Sequence, residues 1–322
     1  MYNILVLDNV DKKAIDVLTA TPGFNVTAGA YDRAQTLAAI PTADALIIRS
    51  ATTADAELIN AAPNLKIIAR AGVGVDNVDL DAATEKGVVV VNTPDGNTIS
   101  TAEMTIGLML SLARFIPQGH ASLTGGKWDR KSFTGVELRG KTLGLIGFGR
   151  IGRAVAKRAL AFEMTVIAYD PFIPADIAAD LGVELVTLDE LYAKSDFISL
   201  HSLITDDTKG MINAESIAKM KKGVRIVNAA RGALINDTDL AEALRSGQVA
   251  GAALDVYAVE PPPADHPLIG LPNVIDTPHL AASTSDAQVN VAIDAAQLVV
   301  DALTKGEYNN VCNPVVLTEK QE

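Results

Sequence analysis

Short, continuously apolar runs alternate with helix-like stretches along almost the whole chain, and this restricts the fold more than any other feature. Runs such as ALIIRS, TLGLIG and TVIAYD lack period-two alternation, so they suit strands buried on both faces. Such strands need helices above and below them, and the pattern predicts an α/β fold with parallel sheets. Candidate strands fall into two series. The first covers 3–8, 24–27, 45–49, 66–70 and 88–92; the second covers 142–146, 164–170, 196–201, 224–228, 251–255 and 273–276. Two series in 322 residues imply two domains. Between them, residues 99–116 read as one long helix, with Ser100 and Thr101 as candidate caps and Pro117 ending it. Residues 118–140 read as a Gly-rich, strand-poor connection whose Trp128 is a packing residue. A second long helix is predicted over 285–303, and the closing NVCNPVVL reads as extended. That tail is too short for a domain and is expected to return to the first unit, making it discontinuous.

One turn carries a chemical signal. Gly147-Phe148-Gly149-Arg150-Ile151-Gly152 is a G-x-G-x-x-G that follows the strand-like KTLGLI and opens the helix-like RIGRAVAKRAL. The first glycine permits a tight turn and the second lets the backbone approach a pyrophosphate. The third allows close helix–strand packing, with the anion over the helix N-terminus. The next strand ends in Asp170, 18 residues beyond Gly152. A carboxylate there accepts hydrogen bonds from ribose hydroxyls and repels a 2′-phosphate, which predicts NAD over NADP. The plain alternative is a glycine turn beside a surface aspartate.

Several polar residues fall at or just past the ends of second-series strands, where open α/β sheets place ligands. His201 ends DFISLH, Arg231 follows VRIVNAA, Asp255 ends GAALD, and His279 follows NVIDTP. Glu260 lies five residues beyond Asp255, ahead of three prolines. Hydride transfer between an alcohol and NAD needs a group that exchanges the hydroxyl proton near neutral pH, and histidine suits it. It also needs a cation to fix a carboxylate and polarise the carbonyl, for which arginine's fork is adapted. An acid that orients the histidine and stabilises its protonated form completes the set. His279, Arg231 and Glu260 can fill these roles, although spacing alone does not bring them together, and each taken singly reads as structural. His201, ahead of Thr205 and Thr208, either lines a cofactor cleft or finishes a strand. His120 and His266 stand in loop-like context and read as structural or solvated.

Charge narrows the partners. With 27 Lys+Arg against 39 Asp+Glu the net charge is −12, a field that repels nucleic acid and anionic membranes. An anionic substrate would therefore need a local basic site. The sole cysteine, Cys312, permits no intrachain disulfide or cysteine-rich zinc cluster, so a reducing compartment and no metal are expected. The first ten residues, MYNILVLDNV, read as a strand and not a leader. No run approaches the ~18 apolar residues of a membrane span. A soluble cytoplasmic protein is expected.

Taken together, the motifs RAGVGVDN (residues 70–77), NTPDGNTISTAE, GKTLGLIGFGRIG, NAARGALIN, GAALDVYAVEPP and LPNVIDTPHLAAST resemble the D-isomer-specific 2-hydroxyacid dehydrogenases over nearly the whole chain. Within that family, GGKWDRKSFTGVELRGKTLG resembles the connector of the subgroup that oxidises 3-phosphoglycerate. The resemblance implies two Rossmann-like, doubly wound parallel-sheet domains with a cleft between them that closes over substrate. A flavodoxin-like substrate-binding domain would span 1–97 plus 286–322, and an NAD-binding domain 98–285. It implies the catalytic trio Arg231, Glu260 and His279. NAD contacts are implied at Arg150, Ile151, Asp170, Ser202, Ala229, Ala230, Asp255, Ala281 and Ala282, beside the glycines and the candidates His201 and Thr208.

For the substrate, the resemblance implies that the backbone of Val73 and Gly74 holds the carboxylate, with Asn97 nearby. Arg49 and Arg70 match positions that meet a phosphate; surface or interdomain pairing is the plain alternative for both. Leu203 departs from the family, where many members have proline, and this affects the local cofactor loop. The implied activity is NAD-dependent oxidation of 3-phospho-D-glycerate to 3-phosphooxypyruvate, the first step of serine biosynthesis. A homodimer through the long helix and the Trp128 connector is also implied. Nothing here encodes a C-terminal serine-sensing module, so no serine feedback is expected. Two other readings stay open: a hydroxypyruvate, glyoxylate or D-lactate type of dehydrogenase, and an NAD-sensing scaffold. The short chain and its acidic balance weigh against the scaffold.

Overall fold

The computed structural model describes residues 1–319, which divide into two units: Met1–Asn97 with the segment from Thr284 onward, and Thr98–Ser283. In the first unit β1 (Tyr2–Val6), β2 (Phe24–Ala28), β3 (Ala45–Ile48), β4 (Ile67–Arg70) and β5 (Val89–Asn92) form a five-stranded sheet in the order β2-β1-β3-β4-β5. The second unit contains β6 (Thr142–Ile146), β7 (Thr165–Tyr169), β8 (Glu184–Leu185), β9 (Phe197–Leu200), β10 (Val224–Asn228), β11 (Val249–Leu254) and β12 (Val274–Asp276). Its seven-stranded order is β12-β11-β10-β9-β6-β7-β8, and every pairing in both sheets is parallel. Both sheets are doubly wound, as the apolar runs predict. Strand order reverses between β1 and β3 in one sheet and between β6 and β9 in the other, the points where such sheets open a crevice at their carboxyl ends.

Each sheet is buried on both faces. One face of the first is covered by helix Lys12–Thr19 and by helix Ser285–Lys305. The latter presents Val291, Ala292, Ala295, Ala296 and Val299 to Ile4, Ile47, Ile67 and Val89. Its small residues let the helix lie close to the strands. In the second unit, helix Thr98–Arg114 packs Ala102, Met109 and Leu112 with Leu143, Val227 and Ala253, while Leu191, Leu240 and Leu244 fill the opposite face. No single helix among the described residues is long and apolar enough to cross a membrane.

Four local expectations are corrected. The helix predicted over 99–116 stops at Arg114, because Phe115 adopts a left-handed backbone with φ 55°. Pro117 then sits in the first turn of a new helix, Ile116–Thr124, where its missing N–H costs nothing. Trp128 does not pack within the chain; it is 81% exposed. The tail is extended only as far as an isolated bridge between Val91 and Val311, and Val315–Glu319 is helical. β8 was not anticipated, being two residues long at a sheet edge.

The tail is tied to β5 by one buried amide. Asn313 Oδ1 accepts the Val90 N–H at 2.8 Å, and its Nδ2 donates to Val88 O at 2.9 Å and to Thr84 Oγ1 at 3.0 Å. Asn313→Ala would leave the Val90 N–H and Val88 carbonyl buried without partners, at about 1–3 kcal/mol. A lower unfolding midpoint in thermal or urea denaturation is expected; an unchanged midpoint would show that the tail does not anchor this edge.

Candidate active site

The glycine turn follows β6 at the reversal point of the second sheet. Gly147 has φ 94°, and a Cβ there would lie 2.6 Å from the carbonyl carbon of His201. A Cβ on Gly152 would run into the Gly147 carbonyl oxygen. These two glycines are set by close approach of backbone. Gly149 differs: it is the N-cap of helix Arg150–Ala161, and the space beside it is open. Backbone N–H groups at a helix N-terminus facing open space fit the diphosphate of a dinucleotide. Asp170 closes the turn, accepting from Phe148 N at 2.8 Å and from Phe172 N at 2.9 Å. It stands just past β7, the position of a ribose-binding acid.

On the other side of this crevice lies the loop after β9. His201 donates its N–H to Ile146 O at 2.7 Å, and its Nε2 lies 2.9 Å from Ser199 Oγ. Burial pushes its pKa down to about 4, so the imidazole is neutral at pH 7. Ser202 Oγ donates to Ile146 O at 3.2 Å. Thr208 Oγ1 accepts from Thr205 N at 2.8 Å and donates to Leu203 O at 2.7 Å, closing the loop on itself.

Three adjacent strands bring the remaining polar groups forward. Arg231 lies three residues past β10, Glu260 six past β11 and His279 three past β12. His279 Nδ1 is 2.7 Å from Glu260 Oε2, with the side chains 50% and 37% exposed. Glu260 Oε1 accepts the Tyr257 N–H at 3.0 Å. His279 has φ 54°, a left-handed backbone that a non-glycine residue adopts only when its surroundings hold it there. Here they do. Its N–H donates to Asp255 O at 2.8 Å; Asp255 Oδ1 accepts from Leu280 N (2.8 Å) and Thr277 Oγ1 (2.6 Å), and Oδ2 from Ala281 N (2.8 Å). Asp255, expected at the cofactor, has no exposed surface, and both its oxygens are engaged by this loop.

Arg231 is placed by Asn228, whose Nδ2 donates to Arg231 O at 2.9 Å and whose Oδ1 accepts the Ala230 N–H at 3.0 Å. Ala229 is buried and Ala230 half-buried, so this stretch offers mainly backbone. Ala281 is buried, while Ala282 lies half-buried beyond it. Beside the His–Glu pair is a cavity of about 420 Å³ lined by Tyr257, Pro261, Ile269, Asp276 and Pro278. Among the described residues no group of three or more His, Cys, Asp or Glu is disposed to hold a metal.

In the first unit, the two arginines expected to meet an anion stand at the ends of neighbouring strands. Arg49 follows Ile48, which pairs with Arg70. The Arg70 guanidinium lies where a side chain on residue 72 would otherwise be. Val73 O accepts from Asn92 Nδ2 at 2.6 Å, Gly74 is in the irregular stretch after it, and Asn97 Oδ1 is buried without a hydrogen-bond partner. Sequence reasoning did not find the support for Arg49. Asp8, at φ 63°, accepts the N–H groups of Arg49 (2.8 Å) and Thr52 (3.0 Å), while Asn77 Nδ2 donates to Arg49 O (2.7 Å) and Thr52 O (2.6 Å). The positive φ that aims Asp8 appears only in the structure, so no sequence signal marked it.

His201 gives the fold a pH dependence. With a folded pKa near 4 and an ordinary value of 6.5, the unfolded chain binds a proton between those values that the folded chain refuses. Stability contributed by the neutral ring is therefore complete above pH 6.5 and falls as pH drops toward 4. His201→Asn is expected to flatten the unfolding midpoint against pH in this window. An equally steep curve in the variant would assign the effect elsewhere.

Comparison with known proteins agrees with this geometry. Residues 106–281 match the family model described as "D-isomer specific 2-hydroxyacid dehydrogenase, NAD binding domain". The chain is 51% identical over 94% of its length to the D-3-phosphoglycerate dehydrogenase of Archaeoglobus fulgidus, of which it covers 57%. It is 49% identical, also over 94% of its length, to the hydroxypyruvate reductase of Thermotoga maritima, of which it covers 98%. Among solved structures, the NAD-dependent formate dehydrogenase of Staphylococcus aureus in complex with NAD is similar, with a TM-score of 0.83, 31% identity, and 96% and 97% of the two chains covered. The chain spans roughly half to three fifths of the phosphoglycerate dehydrogenases it matches. The glycine turn with its acid, the paired His279 and Glu260, and these matches have one explanation: the chain belongs to the family of D-isomer specific 2-hydroxyacid dehydrogenases, and its second unit carries that family's NAD-binding domain.

Proposed function

We propose that the chain oxidises 3-phospho-D-glycerate to 3-phosphooxypyruvate with NAD. The observation that carries the dehydrogenase reading is the 2.7 Å pair of His279 Nδ1 and Glu260 Oε2 on a loop clamped by Asp255. With Nδ1 donating to the carboxylate, Nε2 is the ring atom left to take the C2 hydroxyl proton during oxidation and return it during reduction. Glu260 fixes the ring and stabilises the imidazolium that forms. Arg231 binds the substrate carboxylate and polarises the C2 oxygen. Gly147, Gly149 and Gly152 with Arg150 and Ile151 would hold the dinucleotide's diphosphate, and Asp170 its adenosine ribose. His201, Ser202, Thr208, Ala229, Ala230, Ala281 and Ala282 would line the same crevice. NAD, when bound, supplies the hydride acceptor.

Arg49 and Arg70 are proposed to meet the phosphate, with Val73 and Gly74 N–H groups and Asn97 at the carboxylate. The half-buried setting of both arginines in a chain of net charge −12 supports this. So do the relatives named phosphoglycerate dehydrogenase. Reduction of unphosphorylated hydroxypyruvate is a second reading, favoured by the Thermotoga relative that the chain matches almost end to end. We also propose a homodimer through the face bearing Trp128, Leu123 and Ile116, which are 81%, 57% and 55% exposed.

His279→Ala is expected to lower kcat by ~10²–10⁴-fold while leaving NAD affinity, read by calorimetry, within a few-fold of the parent. A near-normal rate would remove His279 from the proton transfer. Arg49→Ala tests the substrate. With phosphoglycerate and glycerate assayed side by side, KM should rise far more for the phosphorylated acid. An equal rise for both, or faster turnover of hydroxypyruvate by the parent enzyme, would favour the second reading.

A further inference from the structure

The proposed acid–base pair leaves one buried group near it without a role. Tyr257, 9% exposed, sits between β11 and Glu260 and is held on three sides. Its phenol donates to Asp276 Oδ1 at 3.1 Å. Its ring meets the edge of His266 at 5.4 Å between centroids, and His266 Nε2 is itself 3.1 Å from Asp237 Oδ2. Its backbone lies directly on Gly232, the residue after Arg231; a Cβ at 232 would run into the Tyr257 carbonyl carbon and the Ala258 nitrogen. Its own N–H ends on Glu260 Oε1 at 3.0 Å.

We infer that Tyr257 is a positioning residue for the acid–base pair: anchored through its phenol to Asp276 and through its backbone to Gly232, it aims the N–H that fixes the Glu260 carboxylate toward His279. This rests on the reading of His279 and Glu260 as that pair. A carboxylate with one oxygen held by a backbone N–H and the other on the imidazole has little freedom to rotate. The backbone contact also sets the Glu260 loop against the strand end that carries Arg231. Burial first, and Asp276 second, raises the pKa of the phenol, so it remains a donor throughout the working pH range.

Tyr257→Phe removes the O–H and keeps the ring against His266 and the N–H toward Glu260. In the full chain, with a 2-hydroxy acid that the parent turns over, kcat should fall by ~3- to 10-fold, with NAD affinity and substrate KM nearly unchanged. The deciding measurement is a double-mutant cycle with Glu260→Gln. If Tyr257 acts through Glu260, adding Tyr257→Phe to Glu260→Gln lowers kcat little further. Full multiplication of the two losses, or normal kcat in a folded Tyr257→Phe protein beside an impaired Glu260→Gln, overturns the inference. Normal kcat in Glu260→Gln alone would instead overturn the reading of the pair. Should Tyr257→Phe not fold, Asp276→Ala removes the anchor from the other end. It should give the same kcat loss and the same non-additivity, with Asp276→Asn, which keeps an acceptor oxygen, restoring most of the rate; loss of rate in both Asp276 variants alike would count against the inference.

Discussion

A single buried carboxylate organises the candidate site. Asp255 directly follows β11 with no exposed surface, and such a charge is tolerable only if its oxygens are hydrogen-bonded. Its partners come from the segment after β12: two backbone N–H groups and the Thr277 hydroxyl. Meeting the needs of that carboxylate folds the segment back on β11 and holds His279 in a backbone conformation it would not choose alone. The imidazole then reaches Glu260. The placement of His279 is thus a by-product of satisfying a buried charge.

The sheets were legible because parallel strands buried on both faces leave long apolar runs that few other structures accommodate. What escaped was local. Nothing in the residues around Phe115 announces a left-handed backbone, and Pro117 is as compatible with the first turn of a helix as with the end of one. β8 is too short to carry a periodic signal. The tail reads as extended from its valines, yet its placement depends on an asparagine side chain finding β5, a contact 223 residues apart in sequence.

The site divides along the same line. His279, Glu260, Arg231 and Asp170 could be picked out because each is a polar residue at or beyond the end of a strand-like run. The groups that hold them could not. Asp8, Asn77 and Gly232 lie outside the strands and Asp276 ends β12, and the part each plays depends on partners distant in sequence. The likeness to the family singled out these positions as expectations, whereas the connections among them come only from three-dimensional packing.

The discontinuous first unit bears on how the chain is made. One face of its sheet is closed by helix Lys12–Thr19 together with helix Ser285–Lys305, whereas Thr98–Ser283 is an unbroken stretch with its own core. During synthesis from the N-terminus, the inserted unit can finish folding on the ribosome while Ile4, Ile47, Ile67 and Val89 still await their cover. For that interval part of the aliphatic face of the first sheet lacks its second covering helix. Completion of the first unit therefore waits on synthesis of helix Ser285–Lys305.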